Sequence, residues 1–139
     1  MKTLCLKHLI LCLFIILPFA ANAGSSPQTI DITADELHKM MEDGASLVLI
    51  DARYDKMYKE GHIPSAISLP ADKVDSESLS KIAESMNSKL VFYCADTKCP
   101  ASRIGAAKAI GAGYKYVYEF AGGYAEWKQH GYDVVVPKE

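Results

Sequence analysis

The sequence predicts an α/β domain in which a central parallel sheet is flanked by helices on both faces. Three runs are predicted to be strands: LVLID (47–51), a continuous apolar run that ends in an acid, LVFYC (90–94) and YVYEF (116–120), and the first has the pattern of a strand buried on both faces. The stretches between them include apolar residues at helical spacing. Strands that alternate with helices are typical of parallel sheets, whose functional sites lie at the carboxyl ends of the strands.

The first 23 residues are predicted to be a signal peptide. Lys2 and Lys7 provide a positive start to an apolar run, and Ala21-Asn22-Ala23 forms an A-x-A cleavage site that would leave Gly24 as the first residue. The run is shorter than the ~20 residues that a membrane span needs. An uncleaved N-terminal anchor is the alternative. We expect cleavage, export to the periplasm or secretion, and no stable membrane association afterwards.

Residues 24–139 are expected to form a single domain. Cleavage removes two lysines and leaves a net charge of about −4, without a basic block, which argues against nucleic acid as a partner. Two cysteines remain, Cys94 and Cys99. In an oxidising compartment such a pair tends toward a disulfide unless a reductant maintains the thiols.

The first elements of the domain follow from local signals. Residues 29–32 are predicted to form a strand, and Thr33 and Glu36 then fit a capping box at the start of a helix. Gly44 stands where this helix is expected to stop. The strand at 47–51 leads into a polar, turn-rich stretch over residues 52–64, which is followed by a short strand at 66–70.

The second half of the domain repeats the alternation of helix and strand. The spacing of Leu79, Ile82, Ala83 and Met86 predicts one buried helical face. After the strand at 90–94, Pro100 is predicted to be the first residue of a helix, with Cys99 at the cap position.

That helix is expected to continue through Ile104, Ala107 and Ile110, and the strand at 116–120 follows it. Gly122-Gly123 is predicted to form a turn before a short final helix over residues 125–131.

The cysteine pair allows three interpretations: a disulfide, half of a metal site, or a nucleophile with a companion thiol. Cys94 ends a buried strand and precedes a helix, where the helix dipole and free N–H groups lower the pKa of a thiol. The N–H groups of residues 95–99 are expected to form an anion-binding nest around its sulfur. Lys98 and Arg103 add positive charge, whereas Asp96 opposes it.

Two other kinds of site fit the sequence poorly. A metal would need at least two further ligands, but His38, His62 and His130 are distant in sequence. A phosphatase loop would need an arginine six positions after Cys94 to clamp phosphate, and that position is Pro100. We therefore predict no metal and no phosphatase chemistry.

Four stretches together resemble the rhodanese (sulfurtransferase) family. They are LVLIDAR (47–53), Y-x-x-GHIPSAISLP (58–70), VFYC with the loop and helix that follow (91–112), and EFAGGYAEWKQHGY (119–132). They occur in the family's order and spacing and cover most of residues 27–136. The resemblance implies a rhodanese-like α/β fold and a sulfurtransferase that needs no cofactor.

The resemblance also implies roles for individual residues. Cys94 would carry sulfur as a persulfide, taken from thiosulfate or a related small donor and passed to cyanide or a thiol. The loop through Ala95, Asp96, Thr97 and Lys98 has the family's length. By the same resemblance, Asp51 and Arg53 are a polar pair at a strand end, and His62 is a turn residue. These three are expected to be structural neighbours of the site, while Trp127 packs the last helix.

The sequence departs from the family pattern at three places. Asp96 and Thr97 stand where glycine or basic residues are common, Ser65 stands where glycine is common, and Cys99 stands where a hydroxyl or basic residue is common. Cys99 leaves three hypotheses open. It is a resolving thiol for a Cys94 persulfide, one half of a thiol-disulfide redox centre with an exported partner protein, or part of a permanent disulfide in a non-catalytic binding module.

Overall fold

The computed structural model describes residues 28–137, and the predicted signal peptide lies outside this range. The strands are β1 (Ile30–Asp31), β2 (Leu47–Asp51), β3 (Ile67–Ser68), β4 (Lys89–Tyr93) and β5 (Tyr116–Phe120). The helices are α1 (Ala34–Glu42), α2 (Asp55–Glu60), α3 (Ser76–Ser80), α4 (Ala101–Gly111) and α5 (Gly123–Gln129), with a 3₁₀ turn at Ala71–Lys73. The five strands pair in parallel in the order β1-β5-β4-β2-β3. The predicted fold class is confirmed.

The core lies on both faces of the sheet, as the unbroken apolar runs require. On β4, Leu90 and Phe92 belong to one buried cluster with residues of α3 and α4, while Val91 and Tyr93 belong to a second cluster with residues of α1 and α5. Side chains that alternate between two covered faces explain why β4 has no polar face. Trp127 of α5 is buried in the second cluster, as predicted.

The capping box of α1 is present. The Thr33 hydroxyl accepts the Glu36 N–H at 3.3 Å, and the Glu36 carboxylate accepts the Thr33 N–H at 2.8 Å. Gly44 follows the helix with a φ of 67°, a left-handed conformation that glycine adopts at little cost. Both predicted helix signals are confirmed.

Helices α2 and α3 are the first that differ from the sequence prediction. The stretch 52–64 contains α2, which was not predicted. None of its residues is buried, so the sequence has no apolar periodicity there that would indicate a helix. The helix predicted from the spacing of Leu79 to Met86 does not extend that far, and α3 ends at Ser80. Leu79 and Ala83 are buried as expected, but the Met86 side chain is 47% exposed.

Helix α4 begins one residue later than predicted. Pro100 is the N-cap rather than the first helical residue, since its carbonyl accepts the first helical hydrogen bond, from the Ile104 N–H at 3.0 Å. The prediction that Cys99 occupies the cap position was therefore wrong by one residue. Small residues form the buried face, because a Cβ at Gly105 would already meet the ring of Phe92 at 2.7 Å. Ile104 is displaced to the surface and is 46% exposed.

The turn that follows α2 has a strained residue. Ser65 has a φ of 64°, in the left-handed region that a side chain disfavours by roughly 1 kcal/mol or more. This is the position at which glycine was expected from the resemblance. Along residues 28–137, no helix is long and apolar enough to cross a bilayer.

Candidate active site

Cys94 lies at the carboxyl edge of the sheet, directly after β4. The register pairs Tyr93 with Asp51 on β2 and with Phe120 on β5, so the three strands end side by side. Cys94 is buried, with 1% of its surface exposed. The prediction that Cys94 stands at the carboxyl end of a buried strand agrees with the structure, and the strand order makes that strand the central one.

The start of α5 holds the first residues of the loop. The Tyr124 N–H donates to the Cys94 carbonyl at 2.9 Å, and the Ala125 N–H donates to the Ala95 carbonyl at 2.9 Å. Gly123 permits this approach: its φ is 61°, and a Cβ there would collide with the Cys94 carbonyl oxygen. Gly123 is thus the first residue of α5 and not part of a turn before it, so the helix spans Gly123–Gln129 where residues 125–131 were predicted, and its start fixes the backbone of Cys94.

Cys94 and Cys99 are joined in a disulfide, and their Cα atoms are 6.1 Å apart. This separation lies within the range that a disulfide can bridge. The two cysteines differ in exposure, since Cys94 is buried and Cys99 is partly exposed. An incoming thiolate therefore reaches the Cys99 sulfur more easily and would expel Cys94 as the leaving thiolate.

Asp96 organises the loop between the two cysteines. Its carboxylate accepts the Lys98 N–H at 2.9 Å, and its carbonyl accepts the Cys99 N–H at 3.1 Å. These contacts form a tight turn of the kind that aspartate favours. The expectation that all the N–H groups of residues 95–99 surround the Cys94 sulfur needs correction, because two of them are bound within the loop. Asp96, whose negative charge disfavours anion binding in this loop, therefore serves to form the turn.

Replacing Asp96 is expected to weaken the disulfide. Asp96→Ala removes the acceptor for Lys98, so the equilibrium between disulfide and dithiol should shift about fivefold toward the dithiol, as for the loss of one hydrogen bond. Thiol counts in dithiothreitol redox buffers measure this shift. Asp96→Asn keeps an oxygen acceptor and should remain close to wild type. An equal shift in both variants would mean that the charge of Asp96, and not its turn, is responsible.

Asp51 and Arg53 form a buried ion pair beside this loop. Arg53 Nη2 lies 2.6 Å from Asp51 Oδ2, and Nε lies 2.9 Å from Oδ1, with 4% and 0% of the two side chains exposed. Arg53 also donates to the Gly61 carbonyl at 2.7 Å. The Tyr93 hydroxyl donates to Asp51 at 2.6 Å. Burial, and next the charge of Asp51, raise the pKa of Tyr93 far above its usual range, so that the phenol remains a donor.

His62 does not line the pocket beside Cys94. Its Nδ1 is 2.9 Å from the Tyr58 carbonyl oxygen, and its ring stacks on Tyr58 with centroids 3.8 Å apart. Its backbone exchanges two hydrogen bonds with Val135, both of 2.9 Å. These contacts are those of a packed turn residue.

The residues expected to bring positive charge face elsewhere. Arg103 is 74% exposed, and its Nε lies 3.8 Å from Glu119 on β5. Glu119 is itself buried and accepts the Ser102 hydroxyl at 2.9 Å. Thr97 and Lys98 are exposed, and neither they nor Arg103 line the pocket.

A pocket of about 450 Å³ opens beside the disulfide. It is lined by Cys94, Ala95 and Cys99 from the loop, and by Pro100, Ala101, Ile104 and Lys108 from the α4 side. Its other wall consists of Ala52, Arg53, Tyr54 and Met57, with Ala71 and Asp72 at one end. The sequence did not single out Tyr54, Met57, Ile104 and Lys108, because they belong to two distant segments that only the fold brings to one pocket.

Within residues 28–137, no group of three or more histidine, cysteine or acidic side chains is arranged to hold a metal ion.

The fold and the site together define a class: a parallel α/β domain with a cysteine pair in the loop after its central strand. The chain belongs to the rhodanese family, since the family model for the rhodanese-like domain matches residues 33–130.

Solved structures agree with this assignment. The BH2092 protein from Bacillus halodurans is 25% identical, with a TM-score of 0.70 over 78% of this chain and 77% of that chain. The rhodanese-like domain of the Alr3790 protein from Anabaena sp. is 23% identical, with a TM-score of 0.68 over 79% and 81%.

A thiosulfate sulfurtransferase from Pseudomonas aeruginosa is 21% identical, with a TM-score of 0.69 over 79% of this chain but 21% of that chain. At this identity the likeness concerns the fold alone. A search of curated proteins found no match.

Proposed function

We propose that this domain is a sulfurtransferase in which Cys94 carries sulfur as a persulfide and Cys99 resolves it. The observation that carries the proposal is the place of Cys94, at the end of the central strand, in the wall of a pocket and within bonding reach of a second cysteine. Membership of the rhodanese family supports the same chemistry. In this proposal the domain works outside the cytoplasm, after cleavage of the signal peptide.

The first half-reaction requires the reduced pair. The Cys94 thiolate attacks the outer sulfur of thiosulfate, the sulfur–sulfur bond of the donor breaks, and its electron pair leaves with sulfite. The product is the Cys94 persulfide. Cyanide or a small thiol then takes the outer sulfur, and the Cys94 thiolate is restored. This is covalent catalysis in two half-reactions, for which ping-pong kinetics are expected.

Cys99 provides a second exit for the persulfide. Its thiolate attacks the Cys94 sulfur of the persulfide, hydrosulfide leaves, and the Cys94–Cys99 disulfide forms. A dithiol must then reduce the disulfide, and in an exported protein we propose that a partner protein supplies it. The disulfide state would be the resting form between cycles.

The two single cysteine variants test the proposal. After reduction, Cys94→Ser should lower thiosulfate:cyanide sulfur transfer by about 10³-fold or more, as for loss of a nucleophile, while Cys99→Ser retains the activity. Intact-mass measurement after thiosulfate treatment should show one added sulfur atom in Cys99→Ser and none in Cys94→Ser. Unmodified reduced protein, together with no turnover, would overturn the proposal and leave a non-catalytic binding module.

A thiol-disulfide redox protein is the second candidate, and the disulfide with its unequally exposed sulfurs favours it. A redox centre needs both thiols for each cycle. Equal loss of dithiol-disulfide exchange in the two variants, without sulfur transfer by wild type, would therefore select this candidate. Retention of sulfur transfer in Cys99→Ser would rule it out as the sole activity.

A further inference from the structure

A polar cluster joins the start of α1 to the end of α5. The Tyr132 hydroxyl donates to Asp35 Oδ1 at 2.6 Å, and His130 Nδ1 lies 2.8 Å from the same oxygen. A carboxylate at this place selects the form of the imidazole in which Nδ1 carries a proton. One carboxylate of α1 thus holds two residues that lie 95 and 97 positions later in the chain.

Aromatic rings and acidic side chains surround this cluster. The His38 ring stacks on Tyr132 with centroids 3.9 Å apart, and the Trp127 ring lies 4.8 Å from that of Tyr132. The titratable side chains that face the cluster come from α1, from α5 and its end, and from the segment after it: Asp35, His38, Glu42, Glu126, His130, Tyr132 and Asp133. Among these, only the two histidines can become cations.

The lysines of the two helices that lie close in sequence are turned to other partners. Lys39 Nζ is 3.4 Å from Asp43, and Lys128 Nζ lies 4.8 Å from the centre of the Tyr124 ring. Positive charge beside Asp35 therefore depends on the protonation of histidine.

Glu126 ties α5 to α1 a second time. Its Oε1 accepts the Ala34 N–H at 3.2 Å, at the start of α1. Its other oxygen lies where a Cβ at Gly122 would stand, so the side chain packs on the residue directly before α5. Helix α5 is thus held against α1 near its first turn and again at its end.

The start of the same helix holds the backbone of the cysteine loop. Two N–H groups of its first turn donate to the carbonyls of Cys94 and Ala95, each at 2.9 Å. Helix α5 has only seven residues, about two turns. A helix this short moves as one body, so contacts at its end also determine where its start lies.

The contact between Asp35 and His130 is sensitive to protonation. Asp35 lies in the first turn of α1 and His130 is the C-cap of α5, where the helix dipoles favour a negative and a positive charge respectively. An imidazolium donates a stronger hydrogen bond to a carboxylate than a neutral imidazole does, and histidine ordinarily changes its charge between pH 5 and 8. The hydrogen bonds from Tyr132 and His130 lower the pKa of Asp35, so its carboxylate remains charged in this range.

We propose that Asp35, His130 and Tyr132 form a clasp that positions Cys94 for disulfide exchange with external dithiols, and that protonation of His130 tightens the clasp. The clasp fixes α5, and α5 fixes the backbone of Cys94, whose Cα is 6.1 Å from that of Cys99. Cysteines held within bridging distance favour the disulfide over separated thiols. The three are positioning residues, and none of them lines the pocket beside Cys94. The proposal does not rest on sulfur transfer.

The equilibrium of the cysteine pair with dithiothreitol tests the clasp. In this exchange the Cys94–Cys99 disulfide takes two electrons and two protons from the dithiol, which closes to its cyclic disulfide. Thiol counts give the equilibrium constant, and each variant is compared with wild type at the same pH. Tyr132→Phe keeps the ring that stacks on His38 and removes the donor. It should shift the equilibrium about two- to fivefold toward the protein dithiol, near pH 5.5 and near pH 8 alike.

His130→Gln separates the charge from the contact. Glutamine can donate a hydrogen bond but stays neutral, so the shift toward the dithiol should be about two- to fivefold near pH 5.5 and less than about twofold near pH 8. Asp43→Asn is the matched control, because Asp43 also belongs to α1 and pairs only with Lys39, with both side chains more than 60% exposed. It should match wild type at both pH values.

Urea unfolding of the same variants distinguishes positioning from stability alone. Lower free energies of unfolding in Tyr132→Phe and His130→Gln, with an unchanged disulfide equilibrium, would overturn the proposal, since the clasp would then hold the helices without acting on Cys94. An equal shift in His130→Gln at both pH values would overturn the role of protonation. A shift of the same size in Asp43→Asn would overturn the clasp as its origin. Sulfur transfer is tested separately by the cysteine variants, so the two proposals fail independently.

Discussion

Asp51→Ala is expected to destabilise the domain by about 3–5 kcal/mol, the usual result of removing one partner from a buried ion pair. The Arg53 guanidinium would remain buried with the Gly61 carbonyl as its acceptor, and the Tyr93 hydroxyl would lose its own acceptor. A loss of this size is a large part of the 5–15 kcal/mol that holds a typical domain folded. Urea unfolding followed by the fluorescence of Trp127, the chain's single tryptophan, measures it.

Two further variants keep this prediction testable. Asp51→Asn retains an oxygen acceptor and the shape of the side chain but not its charge. Its free energy of unfolding should lie between those of Asp51→Ala and wild type, and it provides the measurement if Asp51→Ala does not fold. Glu77→Ala removes a surface ion pair in which Lys81 Nζ lies 2.7 Å from Glu77 Oε1, with both side chains more than 60% exposed. Its effect should be small by comparison. A loss at Asp51 no larger than that at Glu77 would contradict a stabilising role for the buried network.

Gly123→Ala is expected to have the second large effect, because two costs combine at this position. Its φ of 61° disfavours a side chain, and the added Cβ would collide with the Cys94 carbonyl oxygen. We expect a loss of about 1 kcal/mol from the backbone conformation and about 1–3 kcal/mol from the overlap. The same urea unfolding measures the sum, and thiol counts in redox buffers show whether the disulfide equilibrium shifts with it.

Gly44→Ala is the matched control for this variant. Gly44 has a φ of 67°, but nothing lies within 4 Å of a Cβ at that position. It should therefore show the backbone cost alone and leave the disulfide equilibrium unchanged. Equal losses in Gly44→Ala and Gly123→Ala would mean that the loop yields easily to the new methyl group and that α5 does not fix Cys94.

The sheet and the place of Cys94 could be predicted from the sequence because they depend on strong, local patterns. The run at 47–51 and the run at 116–120 coincide with β2 and β5, and β4 spans Lys89–Tyr93, one residue earlier than its predicted run. Short apolar runs bounded by turn residues are typical of strands covered on both faces. Thr33 and Glu36 mark the start of α1 equally well, since both partners of the capping box are close in sequence.

What the sequence did not predict depends on contacts that form only in the folded chain. The sequence did not predict which face of α4 is buried. The ring of Phe92 lies 2.7 Å from where a Cβ at Gly105 would stand, so small residues form the buried face and Ile104 is exposed. Arg103 was expected at the rim of the site, but it lies near Glu119, sixteen positions later in the chain. The role of Asp96 follows from the path of its own backbone, which residue type alone does not give.

The two cysteines are anchored in different ways. Cys94 is continuous with the central strand, and its carbonyl and that of Ala95 are tied to the start of α5. Cys99 is held by the turn at Asp96 and by the disulfide itself. In the proposed sulfur transfer, the attacking sulfur of Cys94 would therefore stay on a backbone that is fixed on two sides, whereas Cys99 would depend on the turn at Asp96 alone once the bond opens. Access to Cys94 would then depend on where the Cys99 thiol comes to rest.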